Sequence, residues 1–346
     1  MKNRALTVGG AVLSLLLLAG VFYRVRPAVF WAALKETDPV ALGSCVFFFG
    51  VSCLARAVMW RVTTRPLQPV GFSTLCGGII VGYLANNLLP ARAGEVVRAY
   101  YLARRTGIPG PAAFATVCVE RVLDAASLGL LVAAALLVGV RGLRPETARL
   151  TLLILCGALT VGAAAFAGLL RLSERAVGTP VFPAPVRDAL ASFTGPLRPL
   201  GRPRTLALLV TLSLLAWGAN YLSLLALVPD AAASRPQAAL LLLLFINLGL
   251  LVPSSPGAFG VMQLAFWAAL APFGLPKEVA LALSLAYQGS LYLFTLALGL
   301  PYYARAHISL GKIAAEATAQ QKEDPTPGEA ATTAVAKAPR SLFRER

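Results

Sequence analysis

NNLLPARAGEVVRAYYL, residues 86–102, breaks an otherwise apolar stretch, and its reading decides the fold. The half before the break, Phe72–Leu89, holds Gly77, Gly78 and Gly82 and no charged residue. Then comes Pro90-Ala91-Arg92-Ala93-Gly94, and after it Glu95–Arg105, helical in pattern and strongly charged. The punctuation recurs later in the chain. Ala238–Val252 is apolar, Pro253-Ser254-Ser255-Pro256-Gly257 interrupts it, and Phe259–Leu270 resumes it. Backbone that leaves a helix at membrane depth exposes N–H and C=O groups, and is tolerated only where protein or water satisfies them. Paired apolar segments interrupted by Gly and Pro in the two halves of a chain are the sequence pattern of a transporter binding site.

The rest of the sequence supplies the membrane. Of 346 residues, 58% are hydrophobic and 13% charged, against about 25% charged in a soluble domain. Mean hydropathy is +0.73. Runs such as Leu206–Val228 have no polar face, which excludes an amphipathic soluble helix. Lys and Arg number 31 against 15 Asp and Glu. These charges gather between apolar runs and lack interleaved aromatic RNA-binding motifs, so they mark topology and anionic headgroups, and no nucleic-acid partner is expected. Cys45, Cys53, Cys76, Cys118 and Cys156 all lie in apolar stretches without a CxxC spacing, and His307 is the one histidine. This suggests no disulfide framework, and it excludes a histidine-based triad or metal cluster. No cofactor, metal or enzymatic activity is expected.

Further apolar runs predict spans near Ala5–Tyr23, Val40–Trp60, Ala112–Val140, Leu150–Leu170, Leu206–Val228 and Val279–Tyr303. The first lacks a cleavage site and reads as an uncleaved span. Arg56, close to the end of the second, is expected to snorkel to the interface. If the two interrupted segments are re-entrant, the arginines at 61, 65, 92, 98, 104, 105, 171, 175, 187, 198, 202 and 204 fall on one side with both termini. Eight simple spans give a weaker bias, so the positive-inside rule favours hairpins and a cytoplasmic N- and C-terminus. One hairpin then enters from each side, as in an inverted repeat. The fold expected is all-α, with about six to eight transmembrane helices. Residues 1–305 form the membrane domain; 306–346 form a polar, disordered cytoplasmic tail. The expected location is the cell (inner) membrane.

Chemistry concentrates in four places. Each break restarts a helix, whose free N–H groups and dipole favour an anion. Arg92 would add charge at the first, Ser254 and Ser255 hydroxyls at the second; a kinked, ligand-free helix is the plainer alternative. Pro90, Pro253, Pro256 and Gly260 are the hinge residues. Glu95 and Arg98, three apart on one helix, can pair. Glu120, Arg121 and Asp124 lie well inside a span, which is costly unless they pair or line a polar cavity; Arg92 or Arg98 would supply the missing cation. Asn86, Asn87 and Asn247 precede the breaks and suit exposed backbone. Gln263 and Gln288 are lone amides suited to helix-to-helix bonding or to the polar path. Paired carboxylates would also suit hydrolysis, but no nucleophile or metal constellation accompanies them.

These residues carry a resemblance. NNLLPARAGEVVRAYYL (Asn86–Leu102), VERVLD (Val119–Asp124) and LVPSSPGAFGVMQ (Leu251–Gln263) resemble the lysylphosphatidylglycerol synthase transmembrane-region family, also called the flippase-like domain family, across roughly Ala5–Tyr303. The resemblance implies an integral membrane domain that moves lipids or lipid-linked precursors between leaflets. It points to Asn87, Pro90, Arg92, Gly94, Glu95, Arg98, Glu120, Arg121, Asp124, Pro253, Pro256, Gly257 and Gly260. Longer members carry a soluble aminoacyltransferase domain, which the polar tail here does not resemble. Many members also carry Glu where this chain has Gln263, and a basic residue near Gln288. The expected function is a flippase for an anionic phospholipid or a polyprenyl-phosphate-linked lipid. Its phosphate would meet Asn87, Arg92, Gly94, Glu95, Arg98, Ser254, Ser255 and Gly257, with Glu120, Arg121, Asp124, Gln263 and Gln288 along the path. The rival is a non-transporting scaffold for a glycosyltransferase or lipid-modifying enzyme.

Overall fold

A computed structural model describes residues 16–89, 93–138, 202–250 and 256–306, with isolated positions at 146, 157, 168, 171, 193 and 194. Pro90, Arg92, Pro253, Ser254 and Ser255 lie outside the described residues, as do most of the expected span near Leu150–Leu170, the basic segment after it and the tail. The described residues contain helices and no strand: α1 (Leu16–Phe22), α2 (Pro27–Lys35), α3 (Pro39–Thr64), α4 (Phe72–Leu88), α5 (Gly94–Thr106), α6 (Gly110–Val138), α7 (Pro203–Leu227), α8 (Arg235–Gly249), α9 (Val261–Leu270) and α10 (Lys277–Ala306).

Length sorts these helices. α3, α7 and α10, of 26, 25 and 30 residues, are long and apolar enough to cross a bilayer. At 1.5 Å rise per residue they reach about 38–45 Å, beyond a hydrocarbon core of about 30 Å. α6 is as long, at 29 residues, but carries charges mid-length. α4 and α8, of 17 and 15 residues, reach only about 22–26 Å. Neither can span alone, and each instead folds back on its successor.

The hairpin reading is settled by what ties each segment's ends together. Just before α4, Gln68 donates through Nε2 to the Thr106 carbonyl at the end of α5, 2.7 Å away. The α4–α5 segment therefore leaves and returns at one end of the bundle. Before α8, the Ala233 N–H donates to the Phe273 carbonyl just after α9, 3.1 Å away, so this segment also closes on itself. The two start from opposite ends. α3 and α7 are antiparallel, with Cys45 against Ser223 near one end and Met59 against Leu209 near the other. The 3-10 turn Pro256–Ala258 of the second break packs on α4. Two oppositely directed hairpins thus meet inside the bundle, the architecture of an inverted repeat.

Close backbone approach closes the first hairpin. A Cβ on Gly94 would collide with the Gly82 carbonyl and the Asn86 amide. Only glycine lets α5 start against α4 at this point. The Gly94 N–H, a free donor in the first turn, is taken by Asn86 Oδ1 at 2.8 Å.

The N-terminal region departs from expectation. The stretch after Tyr23 is not a plain loop: α2 lies in it, at 94° to α1. Arg24 turns the chain with φ of 58°, and Pro27 pre-sets the first turn of α2. Val21 of α1 and Phe30 of α2 pack on Leu281 and Ala282 of α10. Arg26 Nε pairs with Glu278 at 3.0 Å, and Lys277 donates to the Tyr23 carbonyl at 3.2 Å.

Candidate functional site

Six ionisable side chains from three helices converge beside the first hairpin. α6 contributes Glu120 and Asp124, one turn apart on one face, and Arg121 beside them. α3 brings Arg56, and α5 brings Arg98 and Glu95. Arg56 Nη1 stands 3.3 Å from Glu120 Oε1 and 2.5 Å from Asp124 Oδ2. Arg98 Nη2 pairs closely with Glu120 Oε2. Arg121 Nη2 lies 2.7 Å from Glu120 Oε1 and 3.1 Å from Asp124 Oδ2, while its Nη1 is 3.5 Å from Glu95 Oε1. Three cations and three carboxylates sum to zero. A buried charge of either sign would be costly in this setting, so the neutral lattice is what lets these groups sit inside an apolar bundle.

Aromatic side chains complete it. The Arg98 guanidinium lies 3.9 Å over the Trp60 ring and that of Arg56 5.7 Å from Trp217, favourable contacts between a cation and a π-face. Trp217 Nε1 donates to Asp124 Oδ1 at 3.2 Å, with Ser213 Oγ at 3.4 Å. Trp60 Nε1 donates to Thr116 at 2.8 Å. The lattice thus pins α3, α5, α6 and α7 together. It has one open side: Glu120 is 1% exposed, whereas the Arg121 side chain is 41% and the Glu95 side chain 28% exposed.

Three expectations change. Arg56 does not reach the interface. α3 runs to Thr64, so Arg56 lies two turns from its end, about 12 Å, and is 3% exposed with two carboxylate partners. Glu95 reaches across to Arg121; Arg98 takes Glu120. The cation sought for the α6 carboxylates is therefore Arg98 together with Arg56. Arg98 accordingly leaves the set of loop arginines. The exposed ones, Arg61, Arg65, Arg104, Arg105, Arg202 and Arg204, stand at the ends of α3 and α5 and the start of α7, the same end of the bundle.

The second break is held by a neutral relay. Gln263 Oε1 accepts from the Gly260 N–H at 2.7 Å, and Gln263 Nε2 donates to Gln288 Oε1 at 2.9 Å. Gln288 Nε2 and the Tyr292 hydroxyl both donate to the Gly257 carbonyl, each at 2.5 Å. Gly257, Ala258 and Gly260 have φ of 75°, 57° and 86°, a left-handed turn that costs an alanine strain. The two glutamines bridge α9 and α10 directly, so an amide pair closes this contact without charge. They hold the turn instead of joining the α6 lattice. At the first break Asn87 Nδ2 donates to Thr295 of α10 at 2.9 Å. Asn247 bonds its own helix at Leu243. Among the described residues, no group of three or more His, Cys, Asp or Glu is arranged to hold a metal ion.

The sequence did not single out Trp60, Trp217, Ser213, Thr116, Tyr292 or Thr295. Arg56 carried the one available signal, an ionisable residue in an otherwise uncharged apolar run.

Two hairpins inserted from opposite ends, with a charged lattice beside one of them, define a polytopic helical membrane protein of the broken-helix kind. The sequence profile of the lysylphosphatidylglycerol synthase TM region matches residues 7–299, and the chain belongs to that family. It is similar to the glycosyltransferase AglD of Haloferax volcanii, 34% identical over 127 residues, covering 36% of this chain and 20% of that protein. It is also similar to a UPF0104 membrane protein of Methanothermobacter thermautotrophicus, 33% identical over 116 residues, covering 33% of this chain and 34% of that protein. A UPF0104 membrane protein of Methanocaldococcus jannaschii is 48% identical over 50 residues, 14% of this chain and 15% of that protein. The matched stretches therefore span about a third or less of these relatives.

Proposed function

We infer that the chain moves an anionic phospholipid, or a lipid-linked phosphate, between membrane leaflets, without chemical change to the lipid. The observation that carries this is the neutral ion lattice beside the first hairpin, buried except on its Arg121–Glu95 side. A purely structural lock gains nothing from an open, charged edge. A path for a headgroup needs one, since a phosphate must find cationic donors at depth. The hairpins, meeting from opposite ends, are the elements whose motion would expose that edge to one leaflet and then the other. The exposed arginines described at one end, Arg61, Arg65, Arg104, Arg105, Arg202 and Arg204, support a cytoplasmic placement of that end, in a cell or inner membrane. Arg92, Ser254 and Ser255 remain candidates for the phosphate on sequence grounds.

The test is leaflet access in proteoliposomes, with labelled phosphatidylglycerol and a labelled polyprenyl phosphate. Wild type should translocate at least one of them, and Arg121→Gln should slow it about tenfold, a loss of ~1.4 kcal/mol of transition-state stabilisation. Equal rates for both proteins would overturn the reading.

A second reading rests on the relative named as a glycosyltransferase. There the chain would hold or orient a lipid-using glycosyltransferase at the membrane. It is favoured if such an enzyme co-purifies while the folded chain alone translocates nothing.

A further inference from the structure

The lattice has more hydrogen-bond donors than acceptors can use. Three guanidiniums present about fifteen N–H groups, and three carboxylates offer about twelve lone-pair sites, not all of them reachable. The surplus is visible in the structure. Nε of Arg56 and Nε of Arg98 are buried and have no hydrogen-bond partner, although buried donors are nearly always satisfied. At the open edge, Arg121 Nη2 is bound to Glu120 at 2.7 Å. Its Nη1 has Glu95 at 3.5 Å, an ion pair too long to be a good hydrogen bond. Glu95 is thus the most loosely held member. It is also the one that stands in the first turn of a helix, α5, where an anion is favoured.

We propose that Glu95 is an exchangeable counter-ion, which holds Arg121 while the site is empty and yields Arg121 Nη1 to a single-charge phosphate-ester oxyanion. This deepens the transport reading and rests on it. The charge arithmetic of the described residues selects the ligand class. Without Glu95 the remaining five groups sum to plus one, so one negative charge restores neutrality. A phosphodiester brings one negative charge and only acceptors, which suits the donor surplus. A diphosphate brings two or more, and would leave uncompensated charge inside the bundle. The exchange needs no large barrier, because a partly exposed ion pair at this distance is weak. Released from Arg121, the Glu95 carboxylate can move toward water, since its side chain is already partly exposed.

The experiment is equilibrium binding to the purified full chain in neutral-detergent micelles. The probes are labelled phosphatidylglycerol, a labelled polyprenyl diphosphate and inorganic phosphate. Glu95→Gln removes the competing carboxylate with little change of shape, and should tighten phosphatidylglycerol binding about two- to fivefold, the weight of a weak, partly exposed ion pair. Arg121→Gln should weaken it at least fivefold, while Arg121→Lys keeps part of the affinity. Wild type should prefer phosphatidylglycerol to the diphosphate lipid. Unchanged or weaker binding by folded Glu95→Gln would overturn the exchange. So would a preference for the diphosphate. Inorganic phosphate competing as well as the lipid would make the ligand a free ion and overturn the lipid assignment. Failure of the transport reading looks different: binding follows the predicted order, yet wild type translocates no lipid.

Discussion

Glu120 accepts from guanidinium groups on three helices, Arg56 on α3, Arg98 on α5 and Arg121 on α6. Its replacement by Gln is the most informative perturbation of stability. The side chain is 2% exposed, so no water can take over its bonds. Neutralising it leaves the lattice at plus one with two almost fully buried arginines short of a partner. Removing one member of a buried ion pair typically costs about 3–5 kcal/mol. Some of that is returned because Asp124 still holds Arg56, which places the expected loss near ~3 kcal/mol. The assay is reversible unfolding in mixed micelles, followed by tryptophan fluorescence, because Trp60 and Trp217 stack on Arg98 and Arg56. The exposed pair Asp230–Arg235 serves as a control: the Asp230 side chain is 90% exposed, and Asp230→Asn should cost under ~1 kcal/mol. A Glu120→Gln loss no larger than the control's would refute the claim that the lattice holds the helices together. Glu120→Gln also confounds stability with activity, and for that reason Arg121 and Glu95 are the better probes of transport.

Further outcomes follow from the two breaks. Gly94→Ala should open the first hairpin and cost about 1–3 kcal/mol in the same unfolding assay, because the new Cβ meets the Gly82 carbonyl and Asn86. Ala258→Gly should stabilise the fold by up to ~1 kcal/mol, since φ of 57° strains an alanine. Gln288→Leu should cost about 1–3 kcal/mol by stranding Gln263 and removing one donor from the Gly257 carbonyl; Gln263→Leu combined with it should cost less than the sum, measured as a double-mutant cycle.

The hairpins were legible because their causes are local. Pro and Gly interrupt an apolar run at Pro90–Gly94 and at Pro253–Gly257, and arginines on one side set the direction of return. The carboxylate pair was legible too, since Glu120 and Asp124 lie one turn apart in apolar surroundings. Their partners were not. Whether Arg98 reaches Glu95 on its own helix or Glu120 on the next depends on helix packing, which spacing does not encode. Arg56 was misread for a similar reason: moving the end of α3 from Trp60 to Thr64 turns a residue near the interface into one two turns deep. The helix α2 was hidden in a stretch whose charges read as a loop. Gln263 and Gln288 were read both as bridging amides and as part of the polar path; their hold on the Gly257 turn came only from the third dimension.

The central claim is that lipid passage requires the hairpins to move. Asn87 at the tip of α4 donates to Thr295 on α10 at 2.9 Å, so cysteines placed at these two positions in a cysteine-free chain can be joined by a short thiol cross-linker with a reducible bond. The decisive measurement is phosphatidylglycerol translocation in proteoliposomes before cross-linking, after it, and after reduction. The account predicts measurable translocation by the uncross-linked double-cysteine chain, arrest on cross-linking, and recovery to the starting rate on reduction. Translocation that continues unchanged while the hairpin is cross-linked would contradict it.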